Sequence, residues 1–312
     1  MATAFLFPGQ GAQFIGMGKD VADSFRVAAD IFKKANDIMG FDLSGICFNG
    51  PADRLNTTAI SQPAIFATSA AILEVIKTNP KTSTIKPTAV AGLSLGEYTA
   101  LYAAGIIGFE DAIRLVQKRG QAMQAAADAS EGAMVSIVGL DEETVNKLCA
   151  EAREGDVLAA ANFNCPGQIV ISGDKTACSR AEALAAKYGA IKAIRLEVAG
   201  AFHTEMMSAA ARDLGDAIQK CRISDPCNIR VIANVDAQYY QDIGKISEGL
   251  KSQLTNPVLW QKCMEKFIDD GIEKFYEIGP GKVLTGLMKR INRKAVVVNI
   301  SNVESLQSLL NS

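Results

Sequence analysis

Ser94 sits between two glycines in Gly92-Leu93-Ser94-Leu95-Gly96, where the short apolar run TAVAG gives way to the helix-like EYTALYAAG. A hydroxyl placed there can act as a nucleophile. A sharp strand-to-helix turn pushes it above the sheet edge, and the following helix aims its N-terminal amides and positive dipole end at it. Flanking glycines suit such a turn, because side chains there would collide with the neighbouring backbone. G-x-S-x-G alone is a weak motif, and glycines that merely pack a helix against a strand are the alternative. A serine hydroxyl is inert without a base. The chain has a single histidine, His203, in VAGAFHTEMM. It follows a predicted strand and begins a helix, so it sits at a sheet edge as Ser94 does. No acidic residue stands in an obvious position to orient its imidazole; a backbone carbonyl would serve, since it need only accept the Nδ1–H.

Two further features could complete such a site. FPGQGAQ (7–13) is a loop directly after a strand, but G-x-G-x-x-G fails because Phe14 occupies the third glycine position, as GPGKVL (279–284) also fails. The better reading of Gly9-Gln10-Gly11 is a tight loop presenting a backbone N–H, which together with the N–H of Leu95 could form a two-donor oxyanion hole. Arg119, in RLVQKRGQAMQ, lies three and four residues beyond Val116 and Leu115 and so on the apolar face of its helix. A guanidinium carried inward must find a carboxylate or leave a costly unpaired charge. Such a carboxylate would be either an internal Asp or Glu, or one on the substrate gripped bidentate.

The elements that must position these groups alternate. TAFLF (3–7) and TAVAG (88–92) read as buried strands. SQPAIFATSAAILEVIKTN reads as a helix with Pro63 in its first turn, and GFEDAIRLVQKRGQAMQAAAD as a helix interrupted near Gly120. Between 131 and 198 the order becomes β-α-β-β-α-β, with Asp141 and Asp174 opening the helices and NCPG turning between the middle strands: a ferredoxin-like module. After it come a helix (204–220), a strand at IRVIANV, a helix after Pro257, the strand KFYEIG, a helix from Val283 and the strand AVVVNI. The expected fold is therefore α/β. A large α/β-hydrolase-like domain with a mostly parallel sheet (1–130 and 199–312) carries an inserted ferredoxin-like subdomain (131–198).

The composition, 312 residues with 48% hydrophobic and 21% charged, is that of an ordinary globular chain. A net charge of -2 argues against a general nucleic-acid binder, although KVLTGLMKRINRK is locally basic. The seven cysteines never fall in C-x-x-C spacing, which suits free thiols better than a disulfide frame or a zinc site. No run approaches the ~18 consecutive apolar residues of a spanning helix. The chain enters a strand at once, leaving no room for a targeting peptide; either none is needed or one has been removed.

FPGQGAQ, GLSLGEYTALYAAG, RLVQKRGQAMQ, NFNCPGQIVISG, AGAFHTEMM, QLTNPVLW and EIGPGKVLTGLMKRI occur in order across nearly the whole chain. This set resembles the malonyl-CoA:acyl carrier protein transacylases of type II fatty acid synthesis. The resemblance implies transfer of malonyl from malonyl-CoA to the phosphopantetheine thiol of acyl carrier protein through a malonyl-serine, with no metal or redox cofactor and a monomeric enzyme. It implies Ser94 as nucleophile, His203 as base, the Gln10 and Leu95 amides as oxyanion hole, and Arg119 as the grip on the malonyl carboxylate. It further implies the main-chain carbonyl of Gln253 as orienter of the histidine, Asn162 and Asn164 as polar groups facing the cleft, and Met123 and Phe202 as pocket walls. GAFH ends like the malonyl-selective HAFH pattern. Leu93 departs from the histidine usual in bacterial members and resembles plastid members, implying a plastid stroma, with a bacterial cytoplasm as the alternative. An acidic carrier protein would be steered by a basic rim: Lys187, Lys192 and Arg195, with Lys282, Lys289, Arg290, Arg293 and Lys294. An α/β-type serine esterase or thioesterase would share the elbow but have no need of Arg119. A non-catalytic module docking carrier protein would not need the Ser94, His203 and Arg119 set.

Overall fold

The computed structural model describes residues 2–226 and 228–311. The first part of the chain runs β1 (Ala2–Phe7), α1 (Lys19–Ser24), α2 (Arg26–Met39), α3 (Leu43–Asn49), α4 (Ala52–Leu55), α5 (Thr58–Thr78), β2 (Ala89–Gly92), α6 (Gly96–Ala103) and α7 (Phe109–Asp128). The middle runs β3 (Gly132–Val138), α8 (Glu142–Arg153), β4 (Leu158–Cys165), β5 (Gln168–Asp174), α9 (Lys175–Ala185) and β6 (Lys192–Arg195). The last part begins with a 3-10 turn at Glu205–Met207 and continues α10 (Ser208–Ile218), β7 (Arg230–Val231), α11 (Ile243–Ser252) and α12 (Trp260–Asp269). It ends with β8 (Ile272–Ile278), α13 (Val283–Ile291), β9 (Val296–Ile300) and α14 (Val303–Leu310).

The large sheet has five strands in the order β7-β2-β1-β8-β9, every neighbouring pair parallel. Parallel strands are covered on both faces and are apolar on both, and β1 shows it. Phe5 and Phe7 join the core that holds Phe66 and Val116, while Ala4 and Leu6 join the one that holds Trp260 and Phe267. The register pairs Phe7 with Gly92. The two strands therefore end at one level, and the loop after β1 and the turn after β2 leave the sheet side by side. Helix α5 is long and apolar enough to cross a membrane, but its most apolar window is 83% buried inside the protein. It is the core helix, packed against α2 and α7.

The second sheet is antiparallel, ordered β4-β5-β3-β6, as a ferredoxin-like β-α-β-β-α-β chain requires. Helices α8 and α9 cover one face, closing a small core with Val135, Ile137, Leu148 and Ala181. Asp141 caps α8 by accepting from the Thr144 N–H. The small sheet is tied to the large domain by a parallel bridge between Asn162 of β4 and Val258 in the loop before α12: Phe163 N–H donates to Val258 O and Val258 N–H to Ala161 O, both at 2.9 Å.

Several local expectations give way to tertiary partners. Pro63 lies inside α5, not in its first turn. The helix starts earlier because Gln124 Oε1 takes the Thr58 N–H at 2.9 Å. Helix α7 runs through Gly120 without a break. A Cβ there would come within 2.8 Å of Thr58 O, so the glycine permits close helix packing. The IRVIANV strand shrinks to Arg230–Val231, since Asn234 turns aside to serve the site described below. Helices α11 and α14 were not anticipated. Of the cysteines, Cys47, Cys149, Cys165, Cys178 and Cys263 are free and buried and Cys221 is free and half-buried, while Cys227 lies outside the described residues.

Candidate active site

Strand β2 delivers Ser94 at φ 51°, in the left-handed region that non-glycine residues seldom adopt. The turn around it has no spare volume. A Cβ on Gly92 would sit 1.8 Å from Gly96 C, and one on Gly96 would sit 2.1 Å from Phe7 O. Strain of this kind persists only where the surroundings hold it, and Asn234 holds it: its Oδ1 accepts the Ser94 N–H at 2.7 Å and its Nδ2 donates to Gly92 O at 2.8 Å. His203, also at positive φ (62°), reaches Ser94 from the loop before the 3-10 turn. Its Nε2 lies 3.0 Å from Ser94 Oγ and its Nδ1 2.7 Å from the main-chain oxygen of Gln253. A carbonyl only accepts, so Nδ1 carries the hydrogen and Nε2 is left as acceptor for the serine proton. Burial first, and then the Arg119 charge, push the imidazole down to about 4, against the Gln253 hydrogen bond. His203 is thus neutral at physiological pH.

Arg119 is 1% exposed and comes from the buried face of α7. No carboxylate of the described residues pairs with it. Its NH1 donates to Gln62 Oε1 at 2.7 Å, and its NH2 to Ser94 Oγ at 2.9 Å and Gln253 Oε1 at 2.8 Å. The Nε–H has no partner among the described residues. The guanidinium is therefore a fully desolvated cation at the nucleophile, held by neutral acceptors. Among the described residues Arg119 has no internal ion pair, the alternative that its sequence position leaves open.

A cleft of about 430 Å³ lies between the two sheets, with Ser94 and His203 in its wall. Gln10, Met123 and Phe202 line it from the large domain, and Asn162 and Asn164 from the small one. Gln253 and Arg119 sit behind Ser94 and outside the cleft lining. The amides of Gln10 and Leu95 donate to no protein acceptor among the described residues, and β1 and β2 end side by side to present them. The proposed basic rim is only partly free. Lys187 pairs with Glu151 at 2.8 Å and Arg195 with Glu182, because helices α8 and α9 place those carboxylates within reach. Arg290 donates to Gln168 Oε1 at 2.7 Å and to Pro166 O at 3.1 Å, clasping the small subdomain.

The model of the acyl transferase domain matches residues 4–309. The malonyl CoA-acyl carrier protein transacylase of Bacillus subtilis is 44% identical over 305 residues, covering 97% of this chain and 95% of that one. The chain belongs to the malonyl CoA-acyl carrier protein transacylase family. Among solved structures, an acyl carrier protein S-malonyltransferase from Vibrio cholerae superposes with a TM-score of 0.94 at 42% identity, covering 99% of this chain and 100% of the other. A malonyl-transacylase in complex with its type II PKS acyl-carrier protein gives 0.95 at 39%, covering 100% and 99%. This chain is accordingly an acyltransferase with that family's α/β fold.

Three residues of this transacylase site escaped the sequence reading: Gln62, Asn234 and Glu97. Glu97 is 0% exposed, and burial pushes its carboxyl up to about 7 against the hydrogen bonds of Tyr240, Asn234 and Gln253 and the Arg119 charge. A lone charged residue, the glutamate inside the otherwise uncharged GEYTALYAAG, is the available signal.

Proposed function

We propose that this acyltransferase moves a malonyl group from malonyl-CoA to the phosphopantetheine thiol of acyl carrier protein, through a malonyl ester on Ser94. The observation that carries the reading is the desolvated Arg119 guanidinium, 2.9 Å from Ser94 Oγ and held only by neutral acceptors. A free carboxylate on the acyl group supplies the anion that this cation lacks. An acetyl group offers it nothing, and neither esterase nor docking chemistry has a use for it.

In the first half-reaction His203 Nε2 takes the Ser94 proton as Oγ attacks the thioester carbon. The oxyanion is received by the Gln10 and Leu95 amides, each donor being worth about 3 kcal/mol in such sites. The C–S bond breaks, and His203 returns its proton to the departing thiolate of coenzyme A. In the second half the carrier thiol gives its proton to His203 and attacks the acyl-serine, and Ser94 Oγ leaves with that proton. Each step uses only the groups already named, so no metal or redox cofactor is called on, and a single chain suffices as a monomer. Met123 and Phe202 wall the acyl pocket, and Asn162 and Asn164 offer polar contacts to the arriving arm.

Helix α13 lines the cleft with Val283 and Leu287. Its cations and those just beyond it, Lys282, Lys289, Arg293 and Lys294, make no ion pair among the described residues and form the better half of a carrier-protein rim. The Bacillus subtilis and Vibrio cholerae relatives are bacterial, which favours the bacterial cytoplasm over the plastid stroma suggested by Leu93. The test is intact mass after incubation with malonyl-CoA. A single malonyl adduct is expected, absent in Ser94→Ala; an adduct that survives that substitution refutes the assignment.

A further inference from the structure

One buried ionisable group takes no part in this chemistry. Glu97 lies on α6, three residues past the nucleophile, and pairs with no lysine or arginine among the described residues. Three donors converge on its carboxylate. The Tyr240 hydroxyl donates to Oε1, while the Asn234 N–H and Gln253 Nε2 donate to Oε2, each at 2.9 Å.

Above its raised value of about 7 Glu97 is an anion, which can only accept, and in either state its Oε2 is the acceptor for the Asn234 N–H and Gln253 Nε2. The amino end of the Gln253 amide is therefore turned toward Glu97, and toward Ser94 O at 3.0 Å. An amide with its donor end fixed has its acceptor end fixed too, and Gln253 Oε1 is left facing Arg119 NH2 at 2.8 Å. The chain of contacts runs from anion to amide to cation. Arg119 needs a countercharge because it is buried, lies over the Tyr98 ring, and among the described residues hydrogen-bonds only to the neutral Gln62, Ser94 and Gln253. A carboxylate in direct contact would occupy the guanidinium, whereas one placed an amide away compensates the charge and leaves the cation open.

We propose that Glu97 is a positioning residue for acyl selection, acting through Gln253 to set that amide's polarity and to supply the countercharge that keeps Arg119 buried without a carboxylate in direct contact. This rests on the malonyl reading above, and burial of both groups supports it: Arg119 is among the causes that lower the Glu97 carboxyl, although desolvation outweighs it.

The test compares adduct formation from malonyl-CoA and from acetyl-CoA. Glu97→Gln keeps the shape and removes the charge and the fixed polarity. It is expected to slow malonyl loading by about 10- to 100-fold and acetyl loading by less than about 3-fold. In an Arg119→Ala background, where the cation it serves is gone, it should slow malonyl loading by no more than about 2-fold further. Equal loss on both donors, no loss at all, or the same loss in the Arg119→Ala background overturns the proposal, since a merely structural carboxylate would behave in one of those ways. If Glu97→Gln does not fold, Tyr240→Phe removes one donor to the carboxylate and faces the same two comparisons, with about a 3- to 10-fold malonyl loss expected. Wild-type protein that takes no malonyl at all overturns the malonyl reading and this inference together. Normal wild-type loading with variants that ignore the donor's carboxylate overturns this inference alone.

Discussion

Replacing Arg119 by alanine should convert a malonyl-selective site into an indifferent one, and the structure sets the size of the effect. A bidentate grip offers a carboxylate two charge-assisted bonds of about 1.5–3 kcal/mol each. Part of that gain is offset, because the guanidinium already donates to Gln62, Ser94 and Gln253 and must release some of these bonds. A net ~2–4 kcal/mol remains, which at ~1.4 kcal/mol per decade is about a 30- to 1000-fold loss of malonyl kcat/KM. Acetyl loading makes no such bonds and should change far less. Quenched-flow loading with each donor, read by intact mass, measures both. Arg119→Lys should recover little, since an ammonium is a point charge and cannot span both carboxylate oxygens as the fork does. Equal losses on the two donors would mean that Arg119 serves only Ser94 and does not read the acyl group.

Other outcomes follow from the same geometry. With acetyl-CoA, which removes Arg119's carboxylate ligand from consideration, the acid limb of the loading rate should fall near pH 4 instead of near 6.5, because the base is lost only as pH drops through the depressed His203 value of about 4. The same depression makes the folded state bind fewer protons than the unfolded chain between those values. His203 therefore costs stability progressively as pH falls from about 6.5 to 4, visible as a Tm decrease that His203→Gln should blunt. Gly92→Ala should cost ~3 kcal/mol or more, seen in denaturant melts, because its Cβ would lie 1.8 Å from Gly96 C. Charge reversal at Lys282 and Lys289 should slow transfer to carrier protein in a salt-dependent way, while loading from malonyl-CoA stays near normal; a salt-insensitive second half-reaction would remove α13 from the docking surface.

The parts of this molecule legible in sequence are those written in local pattern. The β-α-β-β-α-β order, the elbow glycines and the buried strands need only periodicity and turn chemistry. His203 was assignable because the chain has no second imidazole. What escaped depends on partners distant in the chain. Gln124 satisfies the first turn of α5 from 66 positions away, so Pro63 looked like a beginning. Gly120 looked like a break because the α5 backbone it admits is invisible from α7 alone. Asn234 reads as one more polar residue in a strand until its side chain is seen tying the Ser94 turn from 140 positions away. Arg119 could be placed on a buried face, but whether a carboxylate awaited it was a tertiary question. Lys187 and Arg195 looked available because their neutralising glutamates sit on helices that only folding brings alongside.

The cation beside the serine also bears on when the imidazole becomes useful. Arg119 is one of the two influences that depress His203, so a resting enzyme keeps its proton acceptor weak. Burial, the larger influence, would remain, but a carboxylate docked on the guanidinium would screen that repulsion and raise basicity as the cognate acyl group arrives. Recognition would then prime the chemistry through a single local field, and a donor without an acid terminus would meet a site still switched low.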